Sequence, residues 1–313
     1  MGRFILRRIL TSILVLFGVT LLVFITLRLS GDPVQLLLRD GNPTQEDIER
    51  LRHALKLDRP LTEQYFVFLT SAVRGDFGES LRYKTPALDE VLSRMPATIE
   101  LSIAGYLFAL MVAIPAGIIS AVKRGGPADF ISRFISLIGV SFPSFWLGLI
   151  LILIFSVRLR WLPVSGRGEG FSEGMKALIL PAVTLGTAYA ATVMRLLRSS
   201  LLDVLNQDFI RTARAKGLRD RSVLVRHAMR NAIIPVVTVA GLQIGFLLSG
   251  SVIVEVVFSW PGVGRLVVDS IGARDYTIVQ AAVVLLASML ILINLAVDII
   301  CAMIDPRIRF SST

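Results

Sequence analysis

The chain of 313 residues is 54% hydrophobic, carries only 18% charged residues and has a mean hydropathy of +0.71. That composition, with its charge gathered between long apolar runs, excludes a large soluble core and points to an integral membrane protein. The net charge of +10 reads as cationic loops facing anionic lipid, because no nucleic-acid-binding module accompanies it.

Six apolar stretches, 9–29, 98–122, 134–157, 177–194, 232–258 and 277–300, approach the roughly 20 residues a helix needs to cross a bilayer. The first follows Arg3, Arg7 and Arg8, as a signal peptide would. Its apolar run is too long for that role and no small-residue cleavage site follows, so it reads as a retained anchor. Residues 30–97 form a helical insert. Thr44 is placed to cap a helix opening QEDIERLRHAL, whose acids suit its first turn, and Thr62 to cap a second bearing Tyr65, Phe66, Leu69 and Val73 at helical spacing. Gly75–Gly78 then reads as a turn; its Asp-Phe-Gly has no other kinase element around it.

Small residues recur every four positions in the second span, at Gly105, Ala109, Ala113 and Gly117. The fourth span repeats them at Ala182, Gly186 and Ala190, and the fifth has Gly241 and Gly245. Such faces let helices approach closely in lipid. Pro115, Pro143 and Pro181 each permit a bend, fixed or hinged. Polar groups inside spans are costly and invite a functional reading. Gln243, with Ser249, Glu255 and Ser141, makes up the candidate pathway set. Glu255 and Asp298 lie near span ends, so they are expected to reach the interface; the alternative for Asp298 is a pair with Arg307 or Arg309 near the inner surface. Trp161, Trp260 and Tyr276 lie just past span ends, as an aromatic belt would. The single cysteine, Cys301, allows no internal disulfide, and His53 and His227 are too far apart to suggest a metal site.

Lysine and arginine set the expected orientation. Segment 195–231 holds nine basic and three acidic residues, which places it, and with it both termini, in the cytoplasm. Residues 30–97 then lie outside. Within the basic segment, residues 206–235 read NQDFIRTARAKGLRDRSVLVRHAMRNAIIP. Leu201, Leu205, Phe209 and Ala213 form an apolar stripe at four-residue spacing, with Arg211 and Arg214 off it. Gly217 is placed to end that helix in a left-handed turn, Ser222 to cap the next, and Pro235 to stop or kink it before the fifth span. The product is a lever on the cytoplasmic side. It suits either anionic lipid or a groove in a soluble partner.

DFIRTARAKGL and RHAMRNAIIP resemble the cytoplasmic loop of ABC importer permeases. They are most similar to the first permease subunit of the oligopeptide, dipeptide, glutathione and nickel importers. The resemblance spans nearly the whole chain: SGDP (30–33), GDFGES (75–80), PATIEL (96–101), GVSFPSFWLGL (139–149), WLP (161–163), ILPAVTLG (179–186), GLQIGFLLSG (241–250), WPGVG (260–264) and DPRIR (305–309). Where the broader importer loop has Glu-Ala-Ala before its glycine, this chain has Arg211, Thr212 and Ala213, and Pro235 lies farther downstream, as in the peptide and nickel branch.

The resemblance implies an all-α integral membrane protein of the type I importer architecture, with six transmembrane helices and both termini cytoplasmic. It divides the chain into an anchor (1–29), an extracytoplasmic insert (30–97) and a five-helix core (98–313) carrying the coupling loop 195–231. It implies a multi-pass protein of the bacterial inner membrane that works with a second homologous permease, two ATPases and an extracytoplasmic binding protein, carrying di- or oligopeptides, or else glutathione or nickel. The coupling residues would be Asp208, Phe209, Arg211, Thr212, Ala213, Arg214, Ala215, Lys216, Gly217 and Leu218. The sequence has no GxxxxGK[ST] phosphate loop, so ATP and Mg²⁺ belong to the partner chains and no cofactor or catalytic group is expected in this one. A secondary transporter is the competing class, but no repeat relates the two halves. A membrane protease would need a base beside Ser141 or Ser249, and neither histidine is in a span.

Overall fold

The computed structural model describes residues 2–29, 44–54 and 58–304. The motifs at 30–33 and 305–309, with Arg307 and Arg309, fall outside them. Among the described residues the regular structure is helical, apart from one bridge between Glu79 and Pro86. In chain order the helices are α1 (Gly2–Leu29), α2 (Gln45–Ala54), α3 (Leu61–Val73), α4 (Ala87–Val122), α5 (Pro127–Ser141), α6 (Ser144–Leu151), α7 (Gly170–Leu205), α8 (Asp208–Ala215), α9 (Asp220–Ser222), α10 (Met229–Val257), α11 (Val263–Gly272) and α12 (Tyr276–Ile304). Wider π-helical turns extend α6 over Ile152–Arg158 and join α9 to α10 over Val223–Ala228.

Five of the six spans are single helices long and apolar enough to cross a membrane. The third is not the one helix expected over 134–157. It is the pair α5 and α6, bent by 108°. The cause is local. Proline disfavours the helical conformation in the residue before it, and Phe142 is extended, at φ −92° and ψ 132°. Pro115 and Pro181, by contrast, lie inside unbroken helices.

The chain forms two compact units. The first holds Ala97–Pro261 and Ile293–Thr313. Its core is built where α4 meets α7 through the small residues of both. A Cβ on Gly186 would collide with the Gly105 carbonyl and the Phe108 ring, and one on Gly117 would press on Leu197 and the Met194 carbonyl. Only glycine at 186 lets the two backbones approach so closely. Leu185 and Leu197 then fill the space on either side, each in its own buried cluster. Trp260 belongs to one of these clusters rather than to an aromatic belt: it is fully buried, and its Nε1–H donates to the Ala97 carbonyl at 2.8 Å. A satisfied indole N–H removes the reason for tryptophan to seek the interface. Trp161, by contrast, is 66% exposed.

The second unit holds Gly2–Pro96 and Gly262–Leu292. Here α3 packs on α1 through aromatic contacts of Tyr65 with Phe17 and Phe24, and Tyr65 Oη lies 2.9 Å from Thr20 Oγ1. Thr62 does not cap α3. The helix starts one residue earlier behind Pro60, whose fixed φ suits helix entry. The predicted turn at 75–78 is present, with the Gly78 amide donating to Asp76 Oδ1 at 3.0 Å.

Asp275, 1% exposed, ties the loop before α4 to the start of α12. It accepts hydrogen bonds from the Ser80 hydroxyl at 2.6 Å, the Arg82 amide at 3.1 Å and the Thr277 hydroxyl at 2.8 Å. Burial alone would raise its pKa, but these bonds favour the charged form more strongly and hold it below the ordinary carboxylate value. Because the folded value is the lower one, this stabilisation is in place above a pH of about 4 and is lost as pH falls through the folded value.

Two tests follow from this packing. Gly186→Val is expected to destabilise the protein by roughly 1–3 kcal/mol, read as earlier thermal aggregation in detergent. Gly18→Ala, where a Cβ meets nothing within 4 Å, should not lower the transition, and alanine's better helix propensity is expected to raise it slightly. Asp275→Asn should lower stability at neutral pH by roughly 1–3 kcal/mol, and the gap to wild type should close below a pH of about 4.

Candidate functional site: the basic loop and its lever

Helix α7 continues well past the fourth apolar stretch to Leu205, so the basic segment begins as a rigid extension of a span. The chain breaks at Asn206–Gln207, where Gln207 is extended (ψ 153°), and restarts as α8. This break overturns the continuous stripe expected from Leu201 to Ala213. A four-residue register holds only within one helix, and the interruption rotates α8 relative to α7. Ile210, fully buried, and Ala213 face inward, in one cluster with Leu197, Leu201, Val204, Val223 and Ala228. Phe209 faces outward and is 38% exposed.

The end of α8 follows from hydrogen bonding. Lys216 is its last near-helical residue, and Gly217 turns left-handed at φ +76°. The Gly217 amide donates to the Arg214 carbonyl at 2.9 Å, and the Leu218 amide to the Ala213 carbonyl at 3.4 Å. This pair of bonds is the Schellman arrangement, which satisfies carbonyls the helix end would leave open. Nothing else in this chain lies within 4 Å of a Cβ built on Gly217, so within the chain glycine is required here for its backbone angle rather than for close packing.

Ser222 does not cap the next helix. That helix starts at Asp220 behind Arg219, passes through the π-turn and runs on as α10. Pro235 neither stops nor breaks α10. Ala232, Val236 and Ala240 on either side of it are buried in the same cluster as Ile210, and this packing outweighs one missing backbone bond. The outcome is a short helix with two inward anchors, a tight turn and a rigid return into the membrane. Asp208, Phe209, Arg211, Thr212, Arg214, Ala215, Lys216, Gly217 and Leu218 are exposed, and Ala213 is not. Asp208 pairs with Arg211 at 3.3 Å, and Arg214 reaches Asp220 across the turn at 3.6 Å.

The pathway candidates do not form one stripe. Gln243, Ser249 and Glu255 lie six residues apart on α10, which puts them on different faces of the helix. The Gln243 side-chain carbonyl is enclosed without a hydrogen-bond donor among the described residues. Ser249 and Ser141 are exposed, and the Ser141 hydroxyl donates to the Leu137 carbonyl at 2.8 Å. Glu255 does not reach out to an interface. It is fully buried and accepts from the hydroxyls of Thr98 at 2.8 Å and Ser251 at 3.1 Å. Those donors make burial tolerable; Ser251 lies one turn away on the same helix, but Thr98, 157 residues away in sequence, was not legible.

A second polar network escaped the sequence for the same reason. Asp129 on α5, 1% exposed, accepts two bonds from Arg198 on α7, at 2.9 and 3.1 Å, and a 2.5 Å bond from Ser120 on α4. The available signal was an aspartate in a short basic loop between spans. Among the described residues no group of three or more His, Cys, Asp or Glu is placed to hold a metal.

A bundle of apolar spans with an exposed basic loop defines a multi-pass membrane protein. Residues 113–310 match the family described as the binding-protein-dependent transport system inner membrane component, and residues 1–102 match its N-terminal family. The chain belongs to this family: it is the permease subunit of an ABC importer, a multi-pass protein of the inner membrane. It is 43% identical over 330 aligned positions to the di/tripeptide transport system permease protein DppB of Pseudomonas aeruginosa (strain UCBPP-PA14), covering 98% of each chain. It is 45% identical over 311 positions to the glutathione transport system permease protein GsiC of Escherichia coli (strain K12), covering 99% of this chain and 100% of that one. Two solved structures share the fold. The inward-facing MetNI methionine ABC transporter has a TM-score of 0.57 at 20% identity, over 69% of this chain and 96% of that one. An amino acid ABC transporter with histidines has a TM-score of 0.53 at 12% identity, over 70% and 94%.

If Gly217 serves its backbone angle, Gly217→Asn should retain most transport and Gly217→Val should lose most of it at equal membrane abundance. A β-branched residue held left-handed costs at least about 1–2 kcal/mol, whereas asparagine tolerates that conformation. Uptake assays on both variants distinguish this from a requirement for open space, under which both would fail.

Proposed function

We propose that the chain is half of the membrane pathway for short peptides of the di- and tripeptide class, glutathione included, and that residues 208–218 receive its ATPase partner. Full-length identity of 43–45% to a di/tripeptide permease and a glutathione permease carries the substrate reading. Both ligands are short amide-linked chains with free carboxylates and an amine, so one pathway chemistry suits both. Selection among them rests with a separate binding protein.

In this reading both termini and segment 195–231 face the cytoplasm, and residues 30–97 receive the binding protein outside. A second homologous permease completes the pathway. Two partner ATPases bind ATP and Mg²⁺, and this chain performs no catalysis. The lever supports that role by its shape. Ile210 and Ala213 fasten α8 to the chain's own core, while Phe209, Arg211, Arg214 and Leu218 remain outside for a groove in a soluble partner. A push on α8 passes through the buried cluster to α7 and α10 together. Gln243, Ser249, Glu255 and Ser141 remain the residues proposed to meet the solute or to gate its route.

Phe209→Asp combined with Leu218→Asp tests the lever. Both side chains are outside the core, so abundance and insertion should be unchanged, while uptake and transport-linked ATP hydrolysis fall at least about tenfold, the loss of one interface anchor. Normal uptake would overturn the coupling assignment. Mass spectrometry of the ligand carried by the co-purified binding protein tests the substrate: di- and tripeptides or glutathione support the reading, and nickel alone overturns it.

A further inference from the structure

Between α5 and α7 lies a cavity of about 400 Å³ lined by Arg133, Leu137, Arg195 and Arg198. Its charge is unbalanced. Asp129 holds Arg198 through two hydrogen bonds and lies 3.3 Å from Nε of Arg133. Arg195 is exposed, and no carboxylate among the described residues lies within ion-pair distance of it. Three guanidiniums therefore share one carboxylate. Asp129 engages only part of the donor set of the two it touches, since a guanidinium presents several N–H groups in a planar fork. By fixing them in place it also lowers the ordering cost of binding an anion.

The surroundings select the kind of anion. Leu137 lies one helical turn from Arg133 and is 60% exposed. Phe130 and Phe134, stacked with centroids 6.3 Å apart, are exposed on the same helix. A soluble anion has no use for an apolar surface directly beneath its charge, whereas a phospholipid carries a phosphate above acyl chains. The arginines occupy the ends of the spans next to the basic loops 123–133 and 195–231; in the orientation proposed above, on which the inference rests, that is the headgroup level of the anionic leaflet.

We propose that this cavity binds the phosphate of an anionic phospholipid, held by Arg133, Arg195 and Arg198, with an acyl chain along Leu137 and Phe134. A lipid seated there touches α5 and α7. It is thus placed to stiffen the helix that continues into the lever.

The test is native mass spectrometry of the assembled transporter, released from nanodiscs of phosphatidylcholine alone or mixed with phosphatidylglycerol. The wild type should retain phosphatidylglycerol in preference to phosphatidylcholine. Arg133→Gln combined with Arg195→Gln, which leaves the Arg198–Asp129 pair intact, should weaken that retention about thirtyfold, two surface cations' worth. Lys123→Gln combined with Arg124→Gln, which removes the same charge from the neighbouring loop, should not. Equal retention of the two lipids by the wild type would overturn the proposal without recourse to any variant. So would undiminished retention in the double variant. Displacement of the lipid by millimolar inorganic phosphate would assign the cavity to a soluble phosphate instead.

Discussion

The close approach of α4 and α7 is the constraint on which the first compact unit depends. Hydrocarbon offers no hydrophobic drive between helices, so association rests on contact area, and contact area on how near two backbones come. Gly186 sits against the Gly105 carbonyl with no room for a methyl group. That single approach sets the spacing at which Leu185 and Leu197 interdigitate above and below it. The same α7 carries Arg198 to Asp129 and ends in the break that hands the chain to α8.

Polar groups in this unit are used where hydrocarbon makes them expensive, and each buried carboxylate described takes at least one donor from a distant part of the chain. Glu255 is satisfied by Thr98 from another span and by Ser251 one turn away. Asp129 is satisfied by Ser120 and Arg198. Removing one partner would strand the other, so such contacts fix register between helices more than they add stability. Ile210 and Ala213 seat α8 directly on the buried cluster that α7 and α10 share.

Much of the lever was legible before any coordinates. The basic run and Gly217 as the turn follow from local chemistry, because a left-handed helix end needs glycine wherever it occurs. The unbroken return into the fifth span does not, since Pro235 was expected to stop or kink it. The face of α8 was not legible. A stripe from Leu201 to Ala213 presumes one helix, and the break at Asn206–Gln207 exchanged Phe209 for Ile210 as the buried residue. Helix starts failed similarly at Thr62 and Ser222, where a proline or an earlier extended residue opened the helix first.

By itself the sequence determined what local composition controls: six apolar spans, the small faces that pack them, the basic segment that projects from them and the family to which they belong. Only the tertiary structure decided which proline breaks its span. Pro143 bends the third through 108°, while Pro181 and Pro235 pass unnoticed within well-packed helices. It also decided that Trp260 and Glu255 turn inward. The reason is common to all of these. A proline, an indole or a carboxylate near a span end has two acceptable environments, and the choice depends on whether a distant segment supplies packing or a hydrogen-bond partner.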